Sequence, residues 1–301
     1  MNLPSSDTFT SLVHTVGPTV ARVEAPRQAG ATGLLWSADG IIVTASHALR
    51  RDDPLQVVLG TAAPRRATLL GRDPATDLAV LRADHEGLPD LPDPNAPPAW
   101  REAATLGVGE LGLALARPGR TVRAALSMIS VVGDSLRTRG GRALTPYIEL
   151  DRMLPRGFSV APVVDLQGRL LGLATAGISP ETAVLLSVDT VRATVEAIVS
   201  HGRVPQGYLG VGVSPARLPG SLRESLGQGR ALAVVGLAED GPAADAGLLI
   251  GDLILAVDGA AVRSPSGLRA QLADRAGQAV ALRLLRGGQA TDLQITAGER
   301  R

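Results

Sequence analysis

The chain has 301 residues, a formal net charge of +1 and 45% hydrophobic residues, so it can form about two domains with separate cores. It contains no cysteine and no lysine, which excludes disulfides, thiol catalysis and mechanisms that need a lysine amine. The near-neutral charge and the 2% aromatic content argue against nucleic acid as the main partner. Since no apolar run reaches the about 18 residues of a membrane helix, no membrane span is expected.

The first two thirds of the chain predict many short strands. Segment 1–18 contains an amphipathic stretch over 7–15 that predicts a short helix. From 19 to 202, β-branched and leucine-rich runs alternate with turn residues, which is typical of all-β barrels and sandwiches. The proline-rich segment 88–98 divides these strands into two groups, so we predict two small barrels in tandem.

A helix and a short tether lead from these strands to a second module. Apolar residues at helical spacing predict a helix over Val188–His201. Residues 207–301 have the size of one independent domain. Its first strand is predicted at 209–213 and its longer helix at 266–275. The chain is therefore predicted to be mostly β, with an N-terminal helical segment, two barrels and a C-terminal module.

Three side chains of the strand-rich region could form a nucleophilic site. His47 follows a buried strand, Asp77 precedes another, and Ser159 lies two residues after Gly157. A serine hydroxyl is a poor nucleophile until an imidazole accepts its proton, and a carboxylate fixes the tautomer of that imidazole. The order His, Asp, Ser is that of chymotrypsin-like double barrels. Gly157 permits a sharp turn, so the amides of Gly157 and Ser159 can point at one developing oxyanion.

Five segments resemble the HtrA/Deg family of trypsin-like serine proteases with one C-terminal PDZ domain. The matching segments are 37–49 around His47, 71–81 around Asp77, 202–211, 241–248 and 251–259. The resemblance implies a chymotrypsin-like double β-barrel followed by a PDZ domain, without a cofactor or a metal. It also implies a serine endopeptidase that cleaves unfolded or misfolded polypeptides in protein quality control.

The serine loop departs from the family pattern. The family reads Gly-Asn-Ser-Gly-Gly-Pro, whereas residues 157–162 read Gly-Phe-Ser-Val-Ala-Pro. If the position after the serine requires a positive φ, Val160 costs about 1–2 kcal/mol there and could tilt the hydroxyl away. Two readings stay open beside the enzyme: a catalytically impaired pseudoprotease acting as chaperone or scaffold, and a purely structural PDZ adaptor.

The resemblance also places the primary substrate pocket. It would be lined by Met153 and by the strand residues Leu173, Ala174 and Thr175. Met153 falls where trypsin-like enzymes of basic specificity carry an acid, and a basic substrate side chain would be buried there without a partner. We therefore expect cleavage after small or medium aliphatic residues.

A second binding site is expected in the C-terminal module. Tyr208, Leu209, Gly210 and Val211 resemble the carboxylate-binding loop of PDZ domains, whose backbone amides face the terminal carboxylate of a peptide. The adjacent strand edge can accept that peptide as an extra strand. We expect C-terminal peptides ending in Val, Leu, Ile or Ala to bind, unless the groove is occluded.

Assembly and location complete the expectations. Family members form trimers through the N-terminal segment, and Phe9 with Leu12 offers an apolar face that a lone barrel would leave exposed, so a homotrimer is expected. Alternatively, Phe9 packs on its own barrel. Residues 1–7 contain neither a basic n-region nor an apolar h-region, so the sequence predicts no signal peptide and a cytoplasmic location. A periplasmic or other extracytoplasmic location is the alternative if this start is incomplete.

Overall fold

The computed structural model describes residues 5–25, 30–50, 54–84, 100–138, 141–179 and 181–299. The chain is mostly β, as predicted. It divides into two compact units, one of Met1–Leu136 with Leu144–Val204 and one of Arg137–Ala143 with Pro205–Arg301. The domain boundaries predicted at 18, 202 and 207 stay predictions.

The first unit begins with helix α1 (Ser6–Val16), one residue longer at each end than predicted. A 3₁₀ turn, Gly17–Thr19, follows it. Leu12 is buried, and Phe9 packs against the hydrophobic cluster shared by the two barrels. Leu12 is thus buried and Phe9 half-buried against the chain's own barrels, as in the alternative given above, and the homotrimer stays a prediction.

The first barrel consists of six antiparallel strands and is closed in the order β1-β2-β3-β6-β5-β4. The strands are β1 (Val20–Glu24), β2 (Ala31–Leu35), β3 (Ile41–Ala45), β4 (Leu55–Leu59), β5 (Arg65–Asp73) and β6 (Leu78–Ala83). All residues of β2 and β3 are buried, because these strands pack on both faces. A hairpin turn at Gly40 joins β2 and β3, with φ +85° at that glycine.

The second barrel also has six strands and is closed in the order β11-β14-β13-β12-β7-β8. After a 3₁₀ turn at Ala103–Thr105, the strands of this region are β7 (Leu111–Ala116), β8 (Arg123–Gly133), β9 (Leu136–Arg137), β10 (Ala143–Leu144), β11 (Tyr147–Leu150), β12 (Ala161–Val164), β13 (Leu170–Thr175) and β14 (Val184–Leu186). Strands β9 and β10 form a separate two-stranded sheet. The proline-rich segment 88–98 lies outside the described residues.

Helix α2 (Val188–His201) has the predicted bounds. Ser187 caps its start by accepting a hydrogen bond from the Thr190 amide at 3.3 Å, and Gly202 ends it in the left-handed conformation.

One buried cluster, here called the central cluster, contains residues of both barrels and of α2. Because the two barrels share this cluster, residues at the ends of their strands can meet in one cleft.

The second unit is built around the antiparallel sheet β16-β17-β18-β20-β21, in which β16 is an edge strand. Its elements are β15 (Gly207–Tyr208), β16 (Val211–Arg217), α3 (Gly220–Leu226), β17 (Arg230–Leu237), α4 (Pro242–Asp245), β18 (Leu253–Val257), β19 (Ala260–Ala261), α5 (Pro265–Leu272), β20 (Ala279–Arg286), β21 (Gln289–Thr296) and β22 (Gly298–Glu299). The strand predicted at 209–213 is wrong at its start, because Gly210 has φ +76° and interrupts it. None of the helices in the described part of the chain is long and apolar enough to cross a membrane.

Candidate active site

His47 and Asp77 lie at the same end of two neighbouring strands. His47 is in the 3₁₀ turn Ser46–Ala48 after β3, and Asp77 immediately precedes β6, which pairs with β3. The Nδ1 atom of His47 is 2.9 Å from Oδ1 and 2.8 Å from Oδ2 of Asp77. The backbone amide of His47 also donates to Oδ1 of Asp77, at 3.1 Å. The carboxylate therefore fixes both the ring and the backbone of His47.

The two side chains differ strongly in exposure. Asp77 is 4% exposed, whereas the side chain of His47 is 53% exposed. The hydrogen bond to Asp77 raises the pKa of His47, and the negative charge of Asp77 adds to this, whereas partial burial opposes it. With Nδ1 bound to Asp77, the Nε2 atom of His47 remains to exchange a proton in the cleft.

Thr175 and Gly177 hold the Asp77 carboxylate from the second barrel. The hydroxyl of Thr175 donates to Oδ2 of Asp77, and the amide of Gly177 donates to that hydroxyl oxygen at 3.0 Å. A Cβ atom on Gly177 would overlap the Asp77 carboxylate. Thr175 was predicted to line the substrate pocket, but its hydroxyl contacts Asp77. Sequence reasoning missed this contact because 98 residues separate the two partners.

The serine loop is a tight turn between β11 and β12. Gly157 has φ +86°, and a Cβ atom there would overlap Pro118, so this position requires glycine. The amide of Phe158 donates to the Pro155 carbonyl at 3.1 Å. The amides of Gly157 and Ser159 make no backbone hydrogen bond in the described part of the chain. They are therefore available to a ligand in the cleft.

Val160 adopts the conformation for which the sequence analysis foresaw strain. Its φ is +61°, and its amide donates to the carbonyl of Ala174 at 2.6 Å. Its side chain is fully buried in the central cluster. A β-branched residue at positive φ is unfavourable, so packing must offset that cost.

His47 and Ser159 line one cleft of about 500 Å³, together with Gly157, Thr32 and Arg156. Among the described residues, no hydrogen bond reaches the Ser159 hydroxyl, although catalytic hydrogen bonds in free enzymes are often long. The hydroxyl of Thr32 donates to the carbonyl of Gly157 and so contributes to the orientation of the serine loop.

The remaining predicted pocket residues differ in exposure. Met153 is 40% exposed in the loop before Ser159. Leu173 and Ala174 are fully buried in β13. Their roles in a substrate pocket stay predictions.

A groove of about 320 Å³ lies between β16 and α5 in the second unit. The four predicted residues Tyr208, Leu209, Gly210 and Val211 line one side, and Leu268 of α5 is among those on the other. Because β16 is an edge strand, its outer hydrogen-bonding groups face this groove.

The loop that begins this groove turns its carbonyl groups inward. The carbonyl of Leu209 accepts from the Ala243 amide at 2.9 Å, and that of Gly210 accepts from the Ala238 amide at 2.8 Å. The amides of Leu209 and Gly210 make no backbone hydrogen bond in the described chain. A side chain at position 210 would press on Gly241, at 3.1 Å from its Cα. The geometry leaves two adjacent amides for an anionic group.

The fold and the two sites define a trypsin-like peptidase domain followed by a PDZ domain, and family models for these domains match residues 31–173 and 207–296. The solved HtrA-type protease AlgW with tripeptide is 30% identical, with a TM-score of 0.68 over 99% of this chain and 98% of that one. The serine endoprotease from Yersinia pestis is 26% identical, with a TM-score of 0.68 over 100% of both chains. The chain belongs to the HtrA family.

Curated relatives correct one expectation. A probable periplasmic serine endoprotease DegP-like of Brucella suis biovar 1 (strain 1330) is 30% identical over 280 residues, covering 88% of this chain and 52% of the relative. The protein of the same name in Halomonas elongata is 29% identical, covering 91% and 57%. The chain thus spans about half the length of these curated relatives. Because these relatives are named periplasmic, the expectation of a cytoplasmic location is wrong.

Proposed function

We propose that the chain is an HtrA-type serine endopeptidase with the triad His47, Asp77 and Ser159. The observation that carries this proposal is the imidazole of His47, which Asp77 holds at the cleft that Ser159 also lines. Ser159 attacks the peptide carbonyl while Nε2 of His47 accepts its proton, and the amides of Gly157 and Ser159 donate to the oxyanion. His47 then protonates the leaving amine, and water hydrolyses the acyl-enzyme with His47 as base.

Labelling with a fluorophosphonate tests this proposal. We expect covalent labelling of the wild-type chain that Ser159→Ala abolishes. Ser130→Ala, which alters a half-buried serine on β8, is the control and should label like the wild type. If no Ser159-dependent labelling is seen, either alone or after addition of C-terminal peptides, the proposal that the chain is a serine endopeptidase is contradicted.

A catalytically impaired pseudoprotease is the second candidate. It is favoured by the positive φ of Val160 and by the absence of a hydrogen bond to the Ser159 hydroxyl among the described residues. In that case the chain would act as a chaperone or scaffold, suppressing the aggregation of unfolded proteins without cleaving them. The labelling experiment separates the two candidates, because a pseudoprotease lacks the activated serine.

As substrates we propose unfolded or misfolded polypeptides, cleaved after small or medium aliphatic residues. The described residues that line the cleft include no carboxylate, and Arg156 adds a positive charge. A buried basic substrate side chain would lack a partner there. Profiling of the cleavage sites in a denatured protein should show Ala, Val or Leu before the cut, and dominant cleavage after Arg would contradict this specificity.

For the PDZ domain we propose binding of C-terminal peptides at the loop that contains Leu209 and Gly210. The two available amides suit a terminal carboxylate, and the edge of β16 suits an added strand. Titration of the full Ser159→Ala chain with a peptide ending in Val should show micromolar binding that C-terminal amidation removes. Equal affinity for the acid and amide forms, or no binding of either, would contradict this site.

We also propose a homotrimer and a periplasmic location, with a role in protein quality control. The trimer rests on the family resemblance, because the apolar face of α1 already packs on its own barrel. Sedimentation equilibrium of the full chain tests it, and a monomer at micromolar concentration would contradict it. The location rests on the names of the curated relatives, and cell fractionation with a periplasmic marker tests it.

A further inference from the structure

A second cavity of the first unit is lined by three arginines. It has a volume of about 350 Å³ and lies beside the segment 117–122, which joins β7 to β8. Arg22, Arg117 and Arg120 line it, whereas no carboxylate is among its described lining residues. A concave surface with this charge attracts anions.

Arg117 is the buried member of this group. It is only 7% exposed, and its guanidinium donates to the carbonyls of Gly60 and Gly17, the latter at 3.3 Å. Its Nε–H is buried and has no hydrogen-bond partner in the described part of the chain. A buried charge is costly unless it is paired, and these two carbonyls supply no counter-charge.

Arg22 is partly compensated. Its Nη2 atom forms an ion pair with Glu24 at 2.6 Å, but its Nε–H is buried and lacks a partner among the described residues. Burial and, to a smaller extent, the charge of Arg22 lower the pKa of Arg117. Arg120 is exposed and makes no hydrogen bond or ion pair with the described residues. The three guanidinium charges are thus compensated by a single carboxylate among the described residues, that of Glu24.

We propose that the cavity of Arg22, Arg117 and Arg120 binds a phosphate group, either as free phosphate or as part of a phosphorylated molecule. Guanidinium groups bind phosphate through several parallel, charge-assisted hydrogen bonds. Three guanidinium groups line the cavity, and that of Arg120 is unpaired among the described residues, so together they match the several acceptor oxygens of phosphate. A carboxylate has only two oxygens and one charge, so it satisfies this donor set less completely.

The site adjoins the serine loop without being part of it. The backbone amide of Arg117 donates to the hydroxyl of Thr32 at 3.0 Å, and that hydroxyl donates in turn to the carbonyl of Gly157. Phosphate binding does not depend on the proposed proteolysis, so a binding measurement tests this site alone.

Calorimetric titration of the full Ser159→Ala chain with inorganic phosphate, at constant ionic strength, tests the proposal. We expect saturable binding of one phosphate per chain, with acetate binding at least about tenfold more weakly because it offers fewer charge-assisted bonds. Arg120→Ala removes an exposed side chain that makes no hydrogen bond or ion pair with the described residues, and it should weaken phosphate binding about fivefold to tenfold. Titration with a phosphorylated peptide then distinguishes the two sources of the group.

The control is Arg123→Ala, which removes the same charge from an exposed residue of β8 whose side chain has no polar partner among the described residues. It should leave the affinity for phosphate unchanged within about twofold. Arg117→Met should abolish binding, and its circular dichroism spectrum establishes whether it is folded. No saturable phosphate binding, equal losses in Arg120→Ala and Arg123→Ala, or acetate binding as tight as phosphate binding would each overturn the proposal.

Discussion

Replacing Val160 by glycine and by alanine separates the backbone strain of the serine loop from the packing of its side chain. Val160 combines φ +61° with complete burial in the central cluster. Glycine removes both the strain and the side chain. Alanine removes most of the side chain but keeps the Cβ atom, which causes the strain at positive φ.

The magnitudes predict an unusual order of stability. Strain at this φ costs about 1–2 kcal/mol, and burial of a valine side chain contributes about 1.5–3 kcal/mol. Both variants should therefore be less stable than the wild type. At an ordinary strand position, a protein with glycine is less stable than the same protein with alanine by about 0.5–1 kcal/mol. At position 160 we expect the free energy of unfolding of Val160→Gly to equal that of Val160→Ala or to exceed it by up to about 1.5 kcal/mol, because only glycine relieves the strain.

The assay is urea unfolding, with the free energy of unfolding taken from each transition. The matched control is Val163, which is fully buried in the neighbouring strand β12. There Val163→Gly should be less stable than Val163→Ala by about 1 kcal/mol. If the glycine variant is less stable than the alanine variant at both positions, the proposed strain at Val160 is refuted.

Two further substitutions test the support of the triad. Asp77→Asn should lower kcat/KM about 10⁴-fold, and it should move the acid limb of the pH–rate profile to lower pH. The reason for the shift is that His47 must be neutral to accept a proton, and its pKa is raised mainly by the hydrogen bond to Asp77. If the acid limb stays at the same pH in Asp77→Asn, the hydrogen bond to Asp77 is not what raises the pKa of His47. Gly177→Ala should lower kcat/KM about 100-fold, because its Cβ displaces the Asp77 carboxylate. The control Gly133→Ala, on β8, should keep wild-type activity. Equal activity of Gly177→Ala and Gly133→Ala would exclude the overlap of a Cβ atom at position 177 with the Asp77 carboxylate.

The elements predicted best from sequence are those with local signals at both ends. Helix Val188–His201 has the predicted bounds because Ser187 and Gly202 provide the two caps. His47 and Asp77 were predicted as partners from chain order and resemblance, and the pairing of β3 with β6 explains why they meet.

The contacts that sequence could not predict depend on distant segments. Thr175 reaches Asp77 only because β13 of the second barrel approaches β6 of the first, and no local pattern indicates that approach. The strand at 209–213 was predicted too early, because its apolar alternation continues through Gly210 although the backbone leaves the strand there. Helix α3 (Gly220–Leu226) is short and lacks a side-chain cap, so the sequence contains little signal for it.

The serine loop shows how side-chain packing can replace glycine. Phe158 and Val160, the two neighbours of Ser159, are both buried, but in different clusters. Phe158 belongs to the cluster inside the second barrel, and Val160 belongs to the central cluster that the two barrels share. The backbone at Ser159 is therefore held on both sides by buried side chains. In the family pattern glycine follows the serine, and glycine can adopt positive φ without strain, whereas here buried apolar surface must offset the strain of Val160. In this chain, the packing of Phe158 and Val160 in the core therefore determines where the Ser159 hydroxyl lies.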